Sequence, residues 1–441
     1  MSPLDTVRSH IEQELQDKKI NLTQFEKMSG INRGVLSATL NSNPPRSISI
    51  NQLDRMAAAL DRPEGWLYEQ YIEECFASSK VNWRRIRALF LRCIELDRNV
   101  LIEHTLNLLM EDYRYVPYVF ELAEELVLNG QQEQSVPFYT CVIENERQQH
   151  AERLAISHYR LFRAQLSEDI ERNKSAVTLF YPYRDRIPDH LRLDALLQMA
   201  NVYYTVQEWD LMEQVTDEMS VLVHRVYEEE CTKMDQQSQN YVPLSTERHL
   251  VWYYGQSYLI KSIFCEYTGR YAEGLKYIDG YKDLNWFKGI DEIGSLEIHK
   301  LTIAAEANLY NFQLMLGNTD CLKDYASFLE RNPFEKLASL LTILKAANIN
   351  NFNIDSILDQ FLPQSNNNFI FEIGYYKNKI TFNTMLTDFY YQLAIYQAKR
   401  GYPLEEFKNT LNTFDMSLRR YNMSRTMDYT SLIQLFIRSM P

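Results

Sequence analysis

The 441 residues carry 46 Lys and Arg against 59 Asp and Glu, a formal charge of −13, with 45% hydrophobic and 24% charged side chains. That is the balance of a folded chain long enough for two or three domains, and no apolar run approaches the ~20 residues of a membrane span. The six cysteines, at 75, 93, 141, 231, 265 and 321, form no C-x-x-C pair, which argues for reduced thiols in a cytoplasmic protein and against a zinc or disulfide framework. The opening "MSPLDTVRSHIEQEL" lacks the apolar core of a signal peptide. Thirty tyrosines and 21 phenylalanines stand against 13 glycines. Few segments alternate apolar and polar residues at period two, so the fold class expected is all-α.

The first elements lie in "INLTQFEKMSGINRGVLSATLN". Leu22, Phe25 and Met28 fall on one helical face, with Asn21 or Thr23 available as N-cap. Gly30 permits the positive φ that a tight turn between two nearly perpendicular helices needs. Ile31 is expected to plug the core beneath that turn. Val35, Leu36 and Leu40 give the second helix an inward face, leaving Asn32, Arg33, Ser37 and Thr39 free to point outward or toward flanking backbone. A loop with Pro44 and Pro45 follows, and then a helix burying Leu53, Met56, Ala57 and Leu60. Between positions 18 and 55 six bases (Lys18, Lys19, Lys27, Arg33, Arg46, Arg55) face only Glu26 and Asp54, a local charge of +4 on an acidic chain. Phosphate binding follows local potential more than total charge.

This stretch resembles the helix-turn-helix of the Xre/Cro repressor family, over about residues 5–68. The resemblance implies a reader of a double-stranded DNA operator, with Asn32, Arg33 and Ser37 facing bases, Thr23 and Gln24 meeting the backbone, and Arg46 at a phosphate. Arg33 suits guanine and Asn32 adenine. One position departs: the family prefers a small residue four places before the turn glycine, where the helices cross closely, and this chain has Glu26. Its stem is expected to lie along the crossing and carry the carboxylate to solvent.

The expected domains are a reader at 1–68, a helical connection at 69–82 and a repeat body at 83–441. In the body, similar helix pairs recur at 121–143, 199–215, 264–278, 306–325 and 389–411, most with a Gly near the turn. They resemble degenerate tetratricopeptide repeats, which stack into an α-solenoid because one pair cannot bury its apolar face alone. Asn201 and Asn308 occupy matching places on their first helices, and Asn311 follows one turn later. An amide donates and accepts at once, which suits clamping the backbone of an extended peptide; bridging between neighbouring helices is the open alternative. Tyr204 and Tyr254 lie nearby as candidate groove residues. The apolar "YTSLIQLFIRSM" at the C-terminus (Leu432, Ile433, Leu435, Phe436, Ile437, Met440) either caps the last repeat or forms a dimer contact.

No G-x-S-x-G, H-E-x-x-H or G-x-G-x-x-G motif occurs, so neither an enzyme nor a cofactor or metal site is expected. Reader plus repeat array resembles the peptide-sensing regulators of the Rap–Rgg–NprR–PlcR–PrgX group, together with the arbitrium receptor AimR. "MANVYY" is similar to the asparagine-bearing helix of the latter. The resemblance implies a cytoplasmic homodimeric transcriptional regulator, with no membrane association. A short signalling peptide in the concave channel of the repeats would control its DNA binding, in quorum sensing or a phage lysis–lysogeny decision. The acidic body favours a peptide carrying Arg or Lys. The rival readings are a protein-interaction scaffold of the Rap kind and a DNA-binding regulator without a peptide ligand.

Overall fold

The computed structural model describes residues 6–42, 46–77, 80–148, 151–236, 241–362, 379–420, 430–432, 434 and 437. Among them there are helices and turns but no strand. The chain divides into two compact units, Met1–Ala164 and Gln165–Pro441.

The first unit contains α1 (Val7–Asp17), α2 (Leu22–Ser29), α3 (Arg33–Leu40), α4 (Ile50–Ala59), α5 (Tyr68–Phe76), α6 (Trp83–Glu95), α7 (Asn99–Leu109), α8 (Val116–Leu128) and α9 (Gln132–Asn145), and α10 (Glu152–Gln165) ends it. Capping boxes open three of the short helices, because Thr6, Asn21 and Ser49 each accept from the N3 amide while the N3 side chain returns the bond. Helices of 8 to 11 residues are marginal alone, so packing must hold them. One continuous apolar cluster does so, running from Val7 and Phe25 through Leu36 and Leu53 to Tyr71, Phe90 and Val142.

Two arginines of α6 fasten the first four helices to α5 and α6. The Asp54 carboxylate accepts from Arg92 Nε at 2.9 Å and from the Tyr68 hydroxyl at 2.7 Å. Arg85 donates to the Ile48 carbonyl at 3.2 Å and to Glu74 at 3.1 Å. Burial, then the hydrogen bond to Asp54, hold the Tyr68 hydroxyl well above the usual tyrosine range. Helix α5 therefore carries Tyr68, Tyr71, Ile72 and Cys75 as buried core.

The second unit holds α11 (Ile170–Phe180), α12 (Asp189–Thr205), α13 (Trp209–Gln236), α14 (Leu250–Tyr267), α15 (Tyr271–Ile278), α16 (Glu292–Met315), α17 (Leu322–Arg331), α18 (Lys336–Asn350), α19 (Asp355–Phe361), α20 (Lys379–Arg400) and α21 (Leu404–Arg420). Helices α12, α14, α16, α18 and α20 form one row, each packed on the next, while α13, α15, α17 and α21 pack on their own predecessors. This is the alternation of a helical repeat array. The row closes, since α12 also packs against α20.

All five similar stretches of sequence fall on helix–turn–helix junctions: α8/α9, α12/α13, α14/α15, α16/α17 and α20/α21. The same bond ends each first helix, an amide reaching back five residues: Gln131 to Leu126, Glu208 to Tyr203, Arg270 to Cys265, Asn318 to Gln313 and Tyr402 to Gln397. That geometry needs a left-handed residue just before the donor. Gly130, Gly269, Gly317 and Gly401 supply it, and Gln207 adopts it at φ 59° in the fifth. Of the apolar C-terminal set, Leu432 is buried in the core of this unit and Ile437 is exposed. Ile433, Leu435, Phe436 and Met440 lie outside the described residues, as do Pro44 and Pro45.

All six cysteines are free and all but Cys231 are buried. Burial pushes the Cys75 and Cys265 thiols up to about 11, and those of Cys93 and Cys141 to about 12. No helix among the described residues is long and apolar enough to cross a membrane.

Candidate nucleic-acid interface

Helix α2 begins at the Asn21 cap, where the Gln24 amide accepts from Asn21 N–H at 2.9 Å and Asn21 Oδ1 accepts from Gln24 N–H at 3.0 Å. Helix α2 ends at Gly30, in the left-handed region at φ 61°. Its N–H returns to the Glu26 carbonyl at 2.8 Å. Arg55 of α4 clasps this turn, donating from Nε to the Ser29 carbonyl at 3.0 Å. Phe25, Ile31 and Leu36 are buried beneath the turn, joined by Leu40.

Two expectations about faces are corrected. Met28 is half exposed while Ser29 is buried, because the Ser29 hydroxyl turns back to the Phe25 carbonyl at 2.6 Å and can enter the core satisfied. Thr39 is buried at 1% exposure rather than outward, and its hydroxyl has no hydrogen-bond partner among the described residues. Its position is three residues past Leu36, on the same inward stripe.

The Glu26 carboxylate stays at the surface and has a specific partner there. Its carboxylate Oε1 accepts from the Arg33 backbone N–H at 2.9 Å, while Asn32 Oδ1 accepts from Gly34 N–H at 2.8 Å. Two of the orphan donors that open α3 are therefore closed by side chains from opposite sides. The large residue at the helix crossing is accommodated because its polar end has this specific partner.

The expected contact residues sort by what they already do. Thr23, Arg33 and Arg46 are exposed, and none has a side-chain hydrogen bond or ion pair among the described residues. The Arg46 backbone N–H donates to the Ala38 carbonyl at 3.0 Å, which ties the loop after α3 to that helix. Ser37 is half-buried on α3. Gln24 and Asn32 are exposed but lend their side-chain oxygens to caps, leaving their NH₂ groups available. Among the six bases, Lys18 is engaged with the Leu60 carbonyl and Asp61, and Arg55 with the turn. Lys19, Lys27, Arg33 and Arg46 remain without partners among the described residues. Of the two acids, Asp54 is neutralised by Arg92. The local excess of positive charge therefore reaches solvent at the reader.

In the second unit the five expected peptide-contact residues lie in three different settings. Asn201, half-buried on α12, has no hydrogen bond among the described residues. Tyr204, three residues on, shares a 2.8 Å hydroxyl contact with Tyr267, and both pack against Trp209. Burial first, with Asp388 and Glu266 adding, holds the Tyr204 and Tyr267 hydroxyls well above their usual range. Lys345 of α18 sits 4.4 Å from the Tyr267 ring centre, and Thr342 donates to Glu266 at 3.0 Å. Tyr254 is buried among His224, Tyr227, Tyr258, Trp286 and Phe287. Asn308 donates to the Tyr281 hydroxyl at 2.8 Å and accepts from Asn311 at 3.3 Å, and Asn311 accepts from the Tyr325 hydroxyl at 2.6 Å. Asn308 thus ties α16 to the turn after α15, and Asn311 ties it to α17.

A set of buried polar atoms on α18 and α20 is not foreseen from the sequence. Asn348 Oδ1, Asn383 Nδ2, Thr384 Oγ1 and Gln397 Oε1 are shielded from solvent with no hydrogen-bond partner among the described residues. A buried polar atom left unpaired costs about 1–3 kcal/mol, so such atoms on one pair of packed helices need an explanation. Asn and Thr within apolar helix patterns were the available signal.

A helix-turn-helix with a solvated basic face, on an otherwise all-helical chain, defines a DNA-binding transcriptional regulator. Residues 10–64 match the family described as Cro/C1-type HTH DNA-binding domain. Comparison of the chain with curated proteins and with solved structures finds no match.

Proposed function

We propose that this regulator is cytoplasmic and homodimeric, and that a short peptide bound in the second unit controls its grip on an operator. The observation that supports the peptide reading is the polar set at Asn348, Asn383, Thr384 and Gln397, whose buried atoms have no partner among the described residues. It mixes donors with acceptors on α18 and α20, and α20 packs against α12, which bears Asn201 and Tyr204. A peptide main chain offers the complementary alternation of N–H and C=O. Glu266 and Asp388 beside the Tyr204–Tyr267 pair favour a peptide with one Arg or Lys. Asn308 and Asn311 would hold the wall of the site through Tyr281 and Tyr325, and Tyr254 would pack behind it.

At the DNA, Arg33 and Asn32 would meet base edges with Ser37 beside them, while Thr23, Gln24 and Arg46 meet phosphates. Peptide and operator are then thermodynamically linked, each changing the affinity for the other by one factor. In a two-fold dimer, small changes in the spacing of the readers alter the fit to paired half-sites. Control of quorum sensing or of a lysis–lysogeny decision would use the same linkage.

The test is calorimetric titration of the full chain with short synthetic peptides carrying one basic residue, with and without the DNA upstream of its own gene. Binding that weakens in Asn383→Ala and shifts the DNA affinity supports the reading. A chain that shifts that DNA specifically, yet takes up none of the peptides, is a regulator without a peptide ligand.

A further inference from the structure

The half-buried Glu26 lies where the reader needs its closest contact with DNA, and its chemistry is unusual there. The N-terminal end of the second helix is the part of such a motif that enters the major groove. In this chain the first two orphan amides of α3 are already taken, Arg33 N–H by Glu26 at 2.9 Å and Gly34 N–H by Asn32 at 2.8 Å. The helix end cannot offer those N–H groups to a phosphate, so α3 must approach through side chains. Only one carboxylate oxygen is engaged; the other has no hydrogen bond among the described residues, and exposed Asn32 and Arg33 stand beside the engaged one at the opening of α3.

We infer that Glu26 is a specificity-determining residue of the reader, selecting an amino-bearing base edge at the step beside the one met by Arg33. A carboxylate can only accept. It welcomes cytosine N4–H or adenine N6–H and is repelled by the O6 and N7 of guanine and the O4 of thymine. The capped oxygen holds the carboxylate in register with α3, so the free oxygen reads one position instead of sweeping several. Glu26 thus acts both as a positioning group, through Arg33 N–H, and as a discriminator. This inference rests on the DNA-reading assignment.

Glu26→Gln separates the two roles. The Gln carbonyl oxygen can keep the bond to Arg33 N–H, while the free oxygen becomes an NH₂ donor. Selection of bound sequences from a randomised duplex pool by the full chain, wild type against Glu26→Gln and Glu26→Ala, reads the outcome directly. The wild type should prefer C or A at one position by about fivefold or more, the low end of what one mismatched pair costs. Glu26→Gln should turn that position toward G or T with the other positions unchanged, and Glu26→Ala should leave it without preference. A uniform gain in affinity, from the removed charge, accompanies either change without altering the pattern.

If wild type and Glu26→Gln select one and the same site, Glu26 is only a cap and the inference falls while DNA reading stands. If the wild type enriches no sequence at all, the assignment of DNA reading falls with it.

Discussion

In the first unit polar side chains close the structure; in the second, several are left open. Around the reader, Asp54 gathers Tyr68 and Arg92, Arg85 holds Ile48 and Glu74, and Glu26 caps α3. On α18 and α20, Asn348, Asn383, Thr384 and Gln397 keep buried atoms without partners among the described residues. A DNA reader works when its side chains are held in one geometry before binding, so satisfied polar groups serve it. A pocket for a changing ligand needs hydrogen-bonding capacity that the protein itself leaves unused. Arg8 Nε and the Thr39 hydroxyl, buried without a hydrogen-bond partner among the described residues, depart from the pattern in the first unit.

The contrast can be broken most forcefully at the core beneath the turn. Phe25 is fully buried, and Phe25→Ala should cost the first unit about 3–5 kcal/mol. Chemical denaturation should show an early transition with specific DNA binding lost, and a chain that keeps full binding would show the reader's geometry does not depend on this core.

Glu335, buried before α18, tests the second unit through pH. Desolvation pushes its carboxyl up from 4.5 to about 7, so between those values the folded state holds a proton that the unfolded chain has released. The stabilisation is fully present below about pH 4.5 and is lost as the pH rises to about 7, amounting to roughly 3 kcal/mol. Melting at pH 5 and pH 8 should show a drop that Glu335→Gln reduces; equal pH dependence in both proteins would deny the buried acid that role.

Arg33→Ala should weaken operator binding by about 1–3 kcal/mol, roughly 5- to 150-fold, and relax one base position. By contrast Arg46→Ala should lower affinity for all sequences alike and reduce the salt slope by about 1. Gel-shift titrations over a salt series distinguish the two. Gly30→Ala is the gentler perturbation. At φ 61° a side chain costs about 1–2 kcal/mol, and the new Cβ would lie 2.6 Å from a terminal nitrogen of Arg55, which can move. Thermal melting should record the loss, with binding restored at lower temperature.

The helices of the reader were legible because their signals are local. Asn21 caps, Gly30 turns, and Leu36 with Leu40 mark a stripe, and each acts within one or two helical turns. The repeat junctions were legible for the same reason, since a single left-handed residue ends each first helix. Exposed candidates such as Arg33 and Arg46 could be named from charge and position alone. What Glu26 does could not, because its partner amide lies across the turn and depends on how two helices cross. The bridging by Asn308 and Asn311 likewise depends on neighbours distant in sequence: Tyr281 and Tyr325 stand 27 and 14 residues from the amides they meet.

By itself, then, the sequence determined an all-helical chain with a Cro/C1-type reader at its start and a row of helix pairs behind it, because hydrophobic period and capping chemistry are read from adjacent residues. Only the tertiary structure decided that α12 meets α20, that polar atoms on α18 and α20 are buried without partners among the described residues, and that a glutamate caps the reading helix. Those outcomes turn on which side chains face one another once the helices pack. A one-dimensional pattern records the face of a helix, and packing chooses its partner.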